Sequence, residues 1–549
     1  MIHRVHRSFA CALLLTVNAV SAQSSLPAAP RVTIGTGTLA GAWVDSTAKV
    51  AAFKGIPYAL PPVGPLRWRA PAAAATWSSE RDATAYGSAC PQEDLLKALF
   101  GVDLGPQSED CLFLSVFTGA SLAPAANGSR ERRPVMLWVH GGSLTMGAGS
   151  QTDGSRLAAQ GVVVVTINYR LGVLGFLAHP ALSAETSTHV SGNYGLHDQI
   201  AALKWVRENI ARFGGDPGNV TIFGESAGGW SVHALLASPN ARGLFHRAII
   251  QSGGSGLGAP RLRASATASG ASSPASSAEQ VGALAATTLG LRGPDASAAE
   301  LRALPVSALV AFTPAEGAAS IARFNIDGQA LTESPAHAVR AGRAARVPIL
   351  MGSNTDEGTI LFRAAPATTT DAFRARMTKD FPAIAADSLF ALYPTDSAAQ
   401  ILRSWQSMMG DATLGAPARW SAALATKAGY SVFLYQFTRV AAGPLGRTLG
   451  AFHAAEIPFV YGIPADQMPR LWGASPNDAE LSRMMSGYWV NFARTGDPNG
   501  AGLPVWSRYA PAGTHLEFGP RIAPARGMGG RRYELWSSEL DRRFRADAR

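Results

Sequence analysis

The chain of 549 residues predicts an α/β protein with a mostly parallel central sheet flanked by helices. Dense apolar runs recur at 135–139, 162–168, 220–223, 247–251 and 432–437; uninterrupted runs of this kind suit strands buried on both faces of a parallel sheet. Between two of them Ile200, Leu203, Val206 and Ile210 recur at helical spacing, and Gly214, Gly215 and Pro217 stop the helix. Several runs end in glycine and serine, as in His140-Gly141-Gly142-Ser143 and Ser252-Gly253-Gly254, and in open α/β sheets chemistry collects at strand ends. With 47% hydrophobic and 16% charged residues the chain can bury a large core. No long linker or repeat divides it, so residues 23–549 read as one domain despite their length.

The first 22 residues stand apart. Basic residues Arg4 and Arg7 precede an apolar run from Phe9 to Val17, then Val20-Ser21-Ala22 places small residues at a cleavage site. This is a secretory signal cut after Ala22, which predicts a secreted or periplasmic protein; a retained signal anchor is the alternative. No later stretch is apolar for long enough to span a bilayer, so no stable membrane anchor is expected. The formal charge of +10 comes from scattered arginines rather than a patch, which argues against nucleic acid as a partner. With Cys11 removed in the signal, Cys90 and Cys111 remain, and an oxidising compartment favours a disulfide between them. Neither has a ligand-spaced neighbour, so a metal site is a poor reading. The N-G-S sequon at Asn127 matters only in a glycosylating host.

Taken in order, residues 31–41 alternate β-formers with glycines and read as a hairpin. Prolines through 53–71 forbid a helix and predict an extended surface path. The pair Glu109-Asp110 reads as structural, holding arginines, and Arg170 reads as one half of an ion pair. The strand at 135–139 runs into Gly141-Gly142-Ser143, where glycines free backbone N–H groups to face a ligand, as an oxyanion hole requires. The strand at 220–223 runs into Gly224-Glu225-Ser226-Ala227-Gly228, followed by small residues that open a helix. This G-x-S-x-G context is that of a nucleophile elbow. Residues 257–277, rich in Ala, Ser and Gly, read as a long surface loop, placed over the active-site entrance. Asp356 and Glu357 end a strand and are both candidates for an acid, while His453 has the downstream position a general base needs.

These segments, with F-K-G-I-P-Y-A from Phe53, S-E-D-C-L from Ser108, N-Y-R-L-G from Asn168, D-E-G from Asp356 and H-x-x-E-I-P-F-V-Y-G from His453, resemble the type-B carboxylesterases across roughly 31–536. The resemblance implies an α/β-hydrolase fold with long active-site loops and a serine esterase that needs no metal or organic cofactor. It implies Ser226 as nucleophile, Glu357 as acid with Asp356 the runner-up, and His453 as general base. Oxyanion donors fall on the N–H groups of Gly142, Ser143 and Ala227. Many members have glycine in place of Ser143, whose side chain would narrow or polarise the acyl site. Glu225 and Ser252 resemble supports of the histidine, and ordinary buried polar packing fits them equally. Cholinesterases carry a tryptophan between the cysteines and aromatics after the acidic motif; this chain has no such tryptophan, and Ile360 and Leu361 follow its acid. A quaternary ammonium needs aromatic faces, so a small aliphatic or aryl ester is expected rather than a choline ester. The competing class is a non-catalytic binding protein on the same fold, against which the full set of catalytic positions argues. Thioesters, amides and polyesters share the same machinery.

Overall fold

The computed structural model describes residues 28–547 apart from 46–48, 123–127, 129, 264–276, 314–319, 465–472, 474 and 476. The signal segment, Asn127 and most of the 257–277 loop lie outside the described residues. The strands are β1 (Arg31–Ile34), β2 (Gly37–Ala40), β3 (Ala42–Asp45), β4 (Val50–Pro57), β5 (Arg81–Asp82), β6 (Phe113–Thr118) and β7 (Arg133–Val139). They continue as β8 (Val163–Ile167), β9 (Gly215–Glu225), β10 (Arg247–Gln251), β11 (Ile349–Asn354), β12 (Val432–Phe437), β13 (His515–Phe518) and β14 (Ile522–Ala525).

The expected hairpin is β1 with β2, which joins β5 in a small separate sheet. The remaining strands form one sheet of eleven in the order β14-β13-β12-β11-β10-β9-β7-β8-β6-β4-β3. Its middle, from β8 to β13, is parallel throughout, and antiparallel strands flank it on both sides. Strand β8 marks one boundary: it runs parallel to β7 and antiparallel to β6. This is an α/β-hydrolase fold, as expected.

Alternation within the apolar runs explains why they need no polar face. Val135, Leu137 and Val139 of β7 enter one core, with Val163, Val165, Ile167, Val220 and Ile222. Met136 and Trp138 point the other way into a second core, with Val164, Phe223, Ile249 and Leu350. The helices Tyr194–Asn209, Ala227–Ala237 and Ala416–Lys427 supply residues to the first core, and Asp478–Thr495 supplies the second. Each such fully buried side chain contributes about 1.5–3 kcal/mol of transfer free energy.

The proline-rich stretch differs from its expected surface path. Residues Phe53–Pro57 are the buried second half of β4, paired with β6, and Tyr58 and Trp68 are buried beyond it. Proline interferes only where a ladder N–H is needed, so Pro57 can end a strand without breaking it. Glu109 does hold an arginine, with its oxygens 2.6 and 2.7 Å from the Arg67 guanidinium. Arg170 pairs with the fully buried Asp198 at 2.7 Å, also as expected.

Register then positions the site. Val139 lies opposite Gly224, Glu225 opposite Gln251, and Gln251 opposite Gly352. The carboxyl ends of β7, β9, β10 and β11 therefore share one edge of the sheet. From that edge emerge His140-Gly141-Gly142, Ser226, Ser252 and Thr355-Asp356-Glu357.

Candidate active site

Ser226 occupies a turn between β9 and the helix Ala227–Ala237, at φ 56° and ψ −122°. Its N–H donates to Gln251 O at 2.9 Å and its carbonyl accepts from Trp230 N–H at 2.9 Å, which fixes the turn at both ends. The flanking glycines are a steric necessity. A Cβ on Gly228 would lie 2.0 Å from Val139 O, and one on Gly224 would lie 2.5 Å from the Gly228 backbone. Ser226 itself stays half-buried, so its hydroxyl is reachable.

The loop after β7 lies against it. A Cβ on Gly141 would come within 3.2 Å of Ser226 Cβ and 2.9 Å of Glu225 Oε2. Gly142, at φ 99°, begins a tight turn in which its carbonyl accepts from the N–H groups of Thr145 and Met146. The N–H groups of Gly142 and Ser143 enter no backbone hydrogen bond among the described residues, and that of Ala227 opens a helix, where no carbonyl one turn earlier is in place to accept it. His140 anchors the loop from below, stacked on Tyr169 at 4.3 Å, with Tyr169 O–H donating to His140 O. Burial pushes the His140 pKa down to about 4, so its ring is neutral.

The acid and histidine meet directly: His453 Nδ1 is 2.6 Å from Glu357 Oε2. Glu357 is held in turn, its Oε1 accepting from Ser252 O–H at 2.5 Å and Asn354 N–H at 2.7 Å. Asp356, the runner-up, points elsewhere. Its Oδ2 accepts from Ala451 N–H at 2.8 Å, and its backbone bridges to Phe452, so it ties the histidine loop to the end of β11.

The second histidine nitrogen meets a carboxylate rather than the serine. His453 Nε2 lies 3.1 Å from Glu225 Oε1, and among the described residues no hydrogen bond joins it to Ser226. Burial pushes Glu225 up to about 8, with Glu456 and Glu357 adding to the rise and His453 opposing it. Burial acts to lower His453, but Glu225 and Glu357 outweigh it and raise its pKa. The two titrations are linked through this buried cluster, but the 3.1 Å approach is not a hydrogen bond, Glu225 Oε1 having no hydrogen-bond partner among the described residues.

Three further residues complete this buried cluster and have no counterpart among the sequence candidates. Glu456 is fully buried and accepts from Gln251 Nε2 at 2.9 Å and Asn354 Nδ2 at 2.7 Å. Gln251 also accepts from Trp489 Nε1, and Asn354 donates to Phe452 O. The trace of Glu456 in the sequence is the glutamate of H-x-x-E-I-P-F-V-Y-G, three residues after His453 across a turn made by Ala454 at φ 71°. Cys90 and Cys111 form a disulfide, as expected, and Gln92 beside it clamps Gly147 by donating to its carbonyl and accepting from its N–H.

A cavity of about 190 Å³ opens beside the turn, walled by Thr145 and Met146 together with Leu171, Leu174, Leu309 and Phe312. Among the described residues no cluster of three or more His, Cys, Asp or Glu is arranged to hold a metal ion.

Comparison with known proteins agrees with this geometry. The sequence profile of the Carboxylesterase family matches residues 28–536. The chain is 39% identical to the para-nitrobenzyl esterase of Bacillus subtilis (strain 168), over 81% of this chain and 86% of that protein. It is 36% identical to the fumonisin B1 esterase of Sphingopyxis macrogoltabida, over 90% and 87%, and 34% identical to carboxylesterase 1D of Rattus norvegicus, over 89% and 88%. Extent, fold and the meeting of separated motifs at one sheet edge lead to one assignment: the chain belongs to the carboxylesterase family of α/β-hydrolases and is a carboxylic ester hydrolase.

Proposed function

We propose that the chain is an exported serine carboxylesterase acting through an acyl-enzyme on small neutral aliphatic or aryl esters. The observation that carries this reading is the 2.6 Å contact of His453 with Glu357 at the sheet edge where Ser226 is held in its strained turn. Substrate entry brings the ester carbonyl against Ser226, and His453 in its neutral form takes the hydroxyl proton on Nε2 as Ser226 Oγ attacks. The N–H groups of Gly142, Ser143 and Ala227 receive the developing oxyanion. His453 returns the proton to the departing alcohol, and water then repeats the sequence to release the acid. Glu357 orients the imidazole and stabilises its charged form, while Ser252 and Asn354 keep Glu357 in place.

The cavity beside the oxyanion turn joins aliphatic side chains and the ring of Phe312 to the polar Gln92, Glu93, Thr145, Thr313 and Ser320, a wall that suits an ester with both apolar and hydrogen-bonding parts. A quaternary ammonium would find no cage of aromatic faces there. Export, with cleavage after Ala22 and residues 23–549 working as one domain, is supported by the leader-like N-terminus and the disulfide. No described helix is long and apolar enough to cross a membrane.

Ser226→Ala and His453→Ala are each expected to lower kcat/KM for para-nitrophenyl butyrate by a factor of about 10⁴ or more. A phosphonate ester probe should add to the wild type at Ser226 and leave Ser226→Ala unmodified by intact-mass analysis. Near-normal turnover in either variant would refute the assignment.

A further inference from the structure

The oxyanion turn carries a side chain where its backbone favours none. Ser143 sits at φ 56° and Leu144 follows at φ 61°, two consecutive non-glycine residues in the left-handed region. Strained residues of this kind persist where their surroundings over-determine them. Leu144 has such a reason, being fully buried in the core. Ser143 is exposed, and its hydroxyl makes no hydrogen bond with any described residue. The nearby acceptor is occupied: Gly142 O already accepts from the N–H groups of Thr145 and Met146 and from Thr145 O–H. A hydroxyl donor at the mouth of the site with no partner among the described residues therefore belongs to the residue whose own N–H is assigned to the oxyanion.

We propose that the Ser143 hydroxyl is a catalytic donor, giving a fourth hydrogen bond to the oxyanion of the tetrahedral intermediate beside the three backbone N–H groups. This rests on the oxyanion assignment made above. A serine rotamer that sets Oγ gauche to its own nitrogen points both donors to one side, so a single substrate oxygen can receive both. The proton stays on Oγ throughout; the hydroxyl only donates, most strongly when the carbonyl oxygen carries charge, so its effect falls on kcat more than on KM.

Two variants separate this role from a structural one. Ser143→Ala keeps the Cβ and the backbone demand and loses only the hydroxyl. Ser143→Gly loses the hydroxyl and relieves the left-handed strain. Both are expected to lower kcat for para-nitrophenyl butyrate by about tenfold or more, with KM within about twofold. Both should weaken an alkyl trifluoromethyl ketone, which forms a tetrahedral adduct with the serine, by the same factor. Thermal denaturation should show Ser143→Gly at least as stable as the wild type, which excludes misfolding as the cause. The proposal is overturned if Ser143→Ala keeps kcat and ketone affinity within about twofold of the wild type, or if kcat falls while ketone affinity does not. Full activity of Ser226→Ala would instead overturn the serine mechanism beneath it.

Discussion

Glu225 is the largest influence raising the His453 pKa and so bears on the pH at which the proposed general base works. A general base accepts a proton only in its neutral form, and the raised pKa of His453 means that this form grows as pH rises. Activity should therefore climb along an acid limb lying above the ordinary histidine range. Glu225→Gln removes the largest influence that raises His453, while keeping the side chain's shape. The limb of kcat/KM against pH should move toward acid in that variant, because the proton is then held by His453 with only Glu357 and Glu456 to favour it. A profile measured from pH 5 to 10 checks this, and a limb that stays in place or moves toward alkali would contradict it. The other positive-φ residues near Ser226 tell the same story of enforced placement. Ser252 at φ 49° sets its hydroxyl on Glu357, and Ala454 at φ 71° turns the chain straight after His453.

At the scale of elements, the site is a meeting of strand ends with one loop that has no strand of its own to fix it. The loop at 450–456 is secured by Asp356, whose Oδ2 accepts from Ala451 N–H, and by Asn354 Nδ2, which donates to Phe452 O. Gly450 makes the close approach possible: it has φ 70°, and a Cβ there would lie 2.3 Å from Asp356 Oδ2. Gly450→Ala is thus expected to cost about 1–3 kcal/mol in backbone strain and displacement and to lower kcat, because His453 rides on the shifted loop. Chemical denaturation and ester turnover measure the two effects, and a variant with wild-type values for both would remove Asp356 as the loop's anchor. The strand ends were legible in the sequence because each couples a dense apolar run to glycine, serine or acid over a few residues. Ser226, Glu357 and His453 were singled out by motif and order, and the structure brings Glu357 and His453 into contact at the edge where Ser226 emerges. The carboxylate cluster was not legible, since Glu456 becomes a site residue only by contacts with Gln251 and Asn354, separated from it by 205 and 102 positions. Likewise Pro57 hid the second half of β4, because proline reads as a break when the paired neighbour on β6 is not in view.

For the molecule as a whole, two large cores and the eleven-stranded sheet present one edge, while the segment joining β5 to β6 brings Pro91, Gln92 and Glu93 to the cavity beside the oxyanion turn. That segment is closed by the disulfide between Cys90 and Cys111, both fully buried. Its closure reaches the chemistry through Gln92, whose amide donates to Cys90 O and Gly147 O while its oxygen accepts from Gly147 N–H. Gly147 closes the turn that Gly142 and Ser143 open, so freeing the segment should loosen the oxyanion donors as well as the fold. In the chain-entropy account a loop of this length contributes about 3 kcal/mol. Cys90→Ala combined with Cys111→Ala should therefore lower the denaturation midpoint and also reduce kcat at a temperature where the variant remains folded. Gln92→Ala separates the two consequences: it should reproduce the loss of kcat, because Gly147 loses both its partners, while keeping the disulfide and most of the stability. Urea denaturation and para-nitrophenyl butyrate kinetics on the two variants test the coupling, and a Gln92→Ala enzyme with unchanged kcat would show that the disulfide serves the fold alone.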